Sequence, residues 1–157
     1  MDTPPEPFSR YHTLAELIHS ATASERGIWN APDETALANL RLLAQGLDAV
    51  RDLLGHPLAI SSGYRSPALN AAVGGVAGSQ HSLGLAADFT CAAFGDPLTV
   101  AQAIVGAEIA FDQCILEYGR WVHLSFTDAP RRRALTIYGP DKGYQLGLWT
   151  ADGVQVV

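Results

Sequence analysis

Apolar residues recur at three- and four-residue intervals from Leu37 through Leu40, Leu43 or Ala44, Leu47 and Val50 to Leu54. That spacing lays one apolar stripe along a helix and predicts the longest element of the chain. Pro32-Asp33-Glu34 sets a proline and two acids in its first turn, where the helix dipole favours them, and Gly55 ends it. Core packing accounts for every residue of the stripe, and none needs a chemical role. Upstream, Thr13-Leu14-Ala15-Glu16 has the spacing of a capping box and predicts a short helix over residues 14–21, followed by a loop over 22–31. Residues 1–9 read as a proline-rich arm.

Beyond Gly55 the period changes. Residues 57–64 read as a strand ending in a polar turn. Ser66-Pro67 then starts a short helix that Gly74-Gly75 stops. Leu85-Ala86-Ala87-Asp88-Phe89-Thr90 is small and apolar enough for a buried strand. Asp96-Pro97 opens a helix reaching about Ala107, with Val100, Ile104 and Val105 inward. Residues 112–118 and 121–126, joined by a turn containing Gly119, read as a β-hairpin. Residues 133–138, 145–149 and 153–157 add further strands. Helices first and a mostly antiparallel sheet afterwards predict an α+β fold, with N-terminal helices packed on the sheet.

At 157 residues the expectation is one domain with a real core. Hydrophobic content of 48% with 17% charged residues excludes a disordered chain. A net charge of −6 argues against a nucleic-acid partner. The single basic run, Arg131-Arg132-Arg133, reads as a solvated strand end or turn, with a modest hold on an anionic polymer as the alternative. Two cysteines, Cys91 and Cys114, are too few for a disulfide scaffold and sit in apolar contexts, so buried free thiols are expected. No apolar run reaches membrane-spanning length, so membrane insertion is not expected. The N-terminus lacks the basic and apolar regions of a secretory signal, which predicts synthesis in the cytoplasm. A monomer is expected.

Chemistry concentrates in Ser79-Gln80-His81-Ser82-Leu83-Gly84-Leu85-Ala86-Ala87-Asp88. His81 lies on a glycine-containing loop that can fold back, and Asp88 on the strand that follows. Trp121-Val122-His123-Leu124-Ser125-Phe126 supplies a second strand-borne histidine. Two imidazoles and one carboxylate make a three-ligand zinc set with a fourth position open to water, the arrangement of a hydrolytic site. Each residue alone also has a plainer reading, as a hydrogen-bonded histidine or a turn aspartate. Strand alternation puts Gln113, Ile115 and Glu117 on the same face as Trp121, His123 and Ser125. A three-residue loop is expected to set Glu117 directly opposite His123. There the carboxylate acts either as the general base or as a hydrogen-bonding group that orients an imidazole. Arg65 suits bidentate recognition of a carboxylate, against the default of a surface arginine. No serine-hydrolase elbow and no phosphate-binding glycine loop is present.

Four blocks now stand in order: Ser62-Gly63-Tyr64-Arg65-Ser66-Pro67-Ala68-Leu69-Asn70; Ser79-Gln80-His81 through Gly84 to Ala86-Ala87-Asp88; Asp112-Gln113 with Ile115 and Glu117; and Trp121-Val122-His123 with Ser125-Phe126. Together they resemble the zinc D-alanyl-D-alanine carboxypeptidase family, which includes many phage endolysins and shares its fold with the hedgehog signalling domain. The matched blocks span about residues 60–133. The resemblance implies one zinc ion held by His81, Asp88 and His123, and Arg65 gripping the carboxylate of a peptidoglycan stem peptide. It places Tyr64, Ser79 and Gln80 beside the substrate. It also implies an acidic base near the last histidine. Many relatives carry that acid three residues before this histidine, where Arg120 stands here, and Glu117 is the available acid. The implied reaction is hydrolysis of a stem-peptide amide, by a carboxypeptidase or an endopeptidase, reaching the wall after release at lysis. The rival expectation is a zinc-binding wall or phage module that has lost hydrolysis.

Overall fold

Thr13 caps the first helix, α1 (Leu14–Ile18), its hydroxyl accepting from the Glu16 amide. The helix stops short of the expected Ala21, because His19 is extended and Ser20 caps a second helix, α2 (Ala21–Arg26), inside the stretch read as loop. Six residues are too few to show a period. The Ser20 cap and Gly27, left-handed at φ 63°, were its only signals. The computed structural model describes residues 7–157, so most of the proposed arm lies outside the described residues. Its end is docked: Phe8 packs against the core, and Ser9 Oγ donates to Asp48 Oδ1 at 2.9 Å.

The apolar stripe forms α3 (Glu34–Leu54), burying Leu40, Leu43, Ala44, Leu47 and Val50 completely. Asp33 is its N-cap, accepting from the Ala36 amide at 2.8 Å, so Pro32 precedes the cap instead of occupying the first turn. There follow β1 (Ala59–Ser62), α4 (Pro67–Ala72), β2 (Ala86–Thr90), α5 (Pro97–Val105), β3 (Gln113–Glu117), β4 (Trp121–Ser125), β5 (Arg133–Ile137) and the two-residue β6 (Gln145–Leu146). The expected long closing strands reduce to β6 and one bridge between Trp149 and Gln155, interrupted by Gly147 at φ 88°.

The sheet order is β1-β2-β4-β3-β5-β6, antiparallel except for the parallel β3–β5 pair. This is the α+β fold expected, with a mostly antiparallel sheet. Period-two alternation sorts the strands. Ala87, Phe89, Cys114, Leu116, Val122 and Leu124 join α3 and α5 in the main core. Asp88, Ile115, Glu117 and His123 belong to the opposite face, where Ile115, Leu135 and Ile137 make a smaller apolar cluster. Chemistry and core therefore occupy different sides of one sheet.

Both cysteines are free and buried, as expected, and burial pushes the Cys114 thiol up to about 12. Two arginines of the basic run are structural. Arg131 pairs with Asp112, and Arg132 donates to the carbonyls of Val105, Ala107 and Ile109 behind α5 while stacking 4.6 Å over Phe111. Among the described residues, no helix is long and apolar enough to cross a membrane.

Candidate metal centre and its cleft

Asp88 and His123 are direct partners in the β2–β4 register, so the sheet itself brings them together. His81 arrives on the loop before β2. Gly84 folds that loop back at φ 76°, against α3, where a Cβ would collide with the Ala36 carbonyl. Asn39 Nδ2 donates to the Leu83 carbonyl at 2.8 Å and ties the loop to α3. The Arg65 amide donates to the His81 carbonyl at 3.1 Å, joining it to the turn after β1.

All three side chains are buried, and one potential ligand atom from each lies within 4.8 Å of the others. His81 Nε2 is 3.2 Å and His123 Nδ1 3.1 Å from the same oxygen, Asp88 Oδ1. The far nitrogen of His81 is committed: Nδ1–H donates to the Gly63 carbonyl at 2.8 Å. With that proton in place, a neutral His81 directs the lone pair of Nε2 at Asp88. Behind His123, Nε2 faces Gln80 Oε1 at 3.4 Å. Unless the rings take a second proton, three electron-pair donors converge with nothing to share. A divalent cation is what such a set fits, and two imidazoles with one carboxylate are zinc-type ligands. Burial on its own would raise the Asp88 carboxyl; where both rings are protonated and no ion is bound, their hydrogen bonds and charge outweigh burial and hold it well below the usual carboxylate range.

Glu117 Oε1 lies 3.7 Å from His123 Nδ1. The hairpin loop has three residues, 118–120, as expected, but the expected pairing is corrected: Glu117 faces Trp121, and His123 faces Ile115. A three-residue loop joins the residues that flank it, whereas Glu117 opposite His123 would need five. Glu117 reaches His123 diagonally along the same face. Burial and then the Asp88 charge push its carboxyl up, against the opposing pull of His123. Arg120 is exposed in the turn.

Arg65 borders a cleft of about 660 Å³ with Gln80, Glu117, His123, Arg133 and Tyr144, and a second of about 330 Å³ on the side of His19 and Ser61. Asp88 and Trp121 border both. Arg65 Nε is buried without a partner, and the loss of hydration lowers its pKa despite Asp88 and Glu117 nearby. Tyr64 is buried in the core cluster and reaches only the smaller cleft. Ser79 Oγ accepts from the His81 amide at 3.2 Å, and Gln80 Nε2 donates to Asp112 Oδ2 at 2.9 Å. Sequence reasoning gave Asp112 no role here, and Arg131 and Arg133 a place only through the alternative reading of the basic run as a hold on an anionic polymer. Asp112 stood within a quoted block, but its partners are distant in the chain. Asn30 was also missed: it donates to the Ile18 and Tyr64 carbonyls and accepts from the Ser66 amide, bracing the turn that carries Arg65.

A His-Asp-His cluster beside a half-buried acid, in an open cleft on an α+β sheet, has the donor set that a metallopeptidase would use. The chain belongs to the peptidase M15 family, whose model matches residues 10–125 and so covers all three cluster residues, Arg65 and Glu117. This is the zinc D-alanyl-D-alanine carboxypeptidase family that the four sequence blocks resemble. A comparison with curated proteins finds no match.

Proposed function

We propose that this protein hydrolyses peptide bonds in peptidoglycan stem peptides, with one zinc ion held by His81, Asp88 and His123. The observation that carries the reading is the convergence of those three donors, with Glu117 Oε1 3.7 Å from one of them, His123 Nδ1. Held there, a zinc ion would supply Lewis acidity for the scissile carbonyl and a lowered pKa for water near neutral pH.

The remaining work falls to side chains. Glu117 accepts a proton from the attacking water and returns it to the leaving amine nitrogen, so one water is consumed and an acid and an amine are formed. Its raised pKa suits an acid that must both take and give. Arg65, buried with an unpartnered donor at the junction of the two clefts, binds a substrate carboxylate. Tyr64 and Ser79 shape the walls around it. The two clefts share Asp88, Arg65 and Trp121 as a common border, which favours a peptide extending from one into the other, hence an endopeptidase. We infer action on the wall at lysis, as for the endolysins the sequence resembles.

Purified muropeptides incubated with zinc-loaded protein and analysed by mass spectrometry test the reading. Internal stem-peptide fragments are expected. Loss of a terminal D-alanine alone would reassign the enzyme as a carboxypeptidase. Intact muropeptides together with stoichiometric zinc would overturn hydrolysis in favour of a binding module.

A further inference from the structure

Behind His123 runs a chain of hydrogen bonds that ends at Arg131, a residue that does not line the cleft. Asp112, 2% exposed at the head of β3, receives Arg131 through Nε on Oδ1 and Nη2 on Oδ2, each at 2.8 Å, and through the Arg131 amide on Oδ1 at 3.1 Å. Its Oδ2 also accepts from Gln80 Nε2 at 2.9 Å. A carboxylate accepts only, so this bond decides which end of the Gln80 amide points where. The nitrogen goes to Asp112, leaving Oε1 to face His123 Nε2 at 3.4 Å. An amide oxygen also accepts only, so this contact is a hydrogen bond when His123 carries its proton on Nε2, which leaves Nδ1 bare toward Asp88, whose Oδ1 at 3.1 Å is the competing acceptor.

We propose that Arg131, Asp112 and Gln80 form a positioning relay that selects the tautomer of His123 and thereby makes Nδ1 its metal-binding atom. The proposal rests on the metal reading above. His81 is set by a backbone carbonyl, which a substitution cannot remove, whereas His123 depends on side chains 32 and 43 residues from their partners. Arg131, the anchor, lies outside the span matched by the family model. Both ends of the Gln80 amide are turned toward protein groups, which distinguishes this role from the substrate contact implied by sequence.

Gln80→Leu cuts the relay and leaves the Asp112–Arg131 pair in place. Two readouts are independent of turnover. Long-range 1H–15N correlation spectra of metal-free protein at mildly alkaline pH report the tautomer. His123 is expected protonated on Nε2 in the wild type and mixed in Gln80→Leu. Zinc affinity from competition with a chromophoric chelator is expected to fall about 10–100-fold, the usual cost of losing an outer partner of a ligating histidine. Asp112→Asn, whose side chain can no longer enforce the amide orientation, should move both readouts in the same direction. The metal-free melting temperature of Gln80→Leu should match the wild type.

Wild-type His123 protonated on Nδ1 would overturn the relay. So would unchanged tautomer and zinc affinity in Gln80→Leu, and a raised KM would then mark Gln80 as a substrate contact. If the wild type binds no zinc, the proposed function fails, while the tautomer spectra still judge the relay.

Discussion

Glu117 is 17% exposed at its side chain and sits within reach of His123 without sharing its register position. Replacing it by glutamine preserves volume and polarity but removes the proton acceptor. Muropeptide hydrolysis by Glu117→Gln is expected to fall by about 10²–10⁴-fold, with zinc content by elemental analysis unchanged. Retained activity would move the base elsewhere. At this scale the sequence was most informative about His81, Asp88 and His123, because residue type and the glycine between the first two restrict what they can do. It gave no sign that Asp112 and Gln80 pair, since their partnership spans 32 residues and exists only because the sheet and the folded-back loop bring them together. Asp112 also makes an acid-sensitive tie. Hydrogen bonding from Arg131, partly opposed by burial, holds its carboxyl down at about 2 against an ordinary 3.8. A depressed folded-state value means that the stabilisation is complete above pH 4 and lost as pH falls from about 4 to about 2. With Arg131 half-exposed, roughly 1–2 kcal/mol is at stake. The stability gap between wild type and Asp112→Asn, from urea unfolding, should therefore narrow over that window.

Among the elements, α3 was the most legible, since 21 residues repeat the 3.6-residue period nearly six times. Leu43, fully buried in its middle, contacts the main core. Leu43→Ala should cost about 2–5 kcal/mol, read as a melting temperature lower by about 5–15 °C. A cost below 1 kcal/mol would mean that the core collapses around the gap. Short elements were harder to read. α2 lies in what read as loop, because caps without a period are weak signals. The hairpin was found with its loop length, yet its register was misassigned by two residues, enough to change which residue faces His123. The parallel β3–β5 pairing had no local signal at all, since it depends on the path of residues 126–132 and on the bonds that Arg131 and Arg132 make along it.

For the whole molecule, the decisive fact is the division of the sheet into a core face and a chemical face. The principal core, with α3, α5 and the inward strand residues, is built without any cluster residue. Chelation of the zinc-loaded protein should therefore abolish hydrolysis while leaving far-UV circular dichroism intact. Stability should drop by the amount that mass action sets, about 4 kcal/mol at a free zinc level 1,000-fold above Kd, read as a lower melting temperature that recovers on zinc addition. Wholesale unfolding on chelation would show that the metal is part of the scaffold.

Gly63 joins the two ends of this layout. Its carbonyl holds His81, the amide of the next residue donates to the Leu17 carbonyl at 2.8 Å, and a Cβ on Gly63 would collide with that same carbonyl of α1. The first helix thus leans directly on the peptide group that aims a catalytic-face imidazole, although none of its own side chains belongs to the metal cluster. Trimming the chain into α1, or splicing a fusion partner there, would blunt the enzyme from behind, through a helix that touches the cluster only by way of a backbone carbonyl.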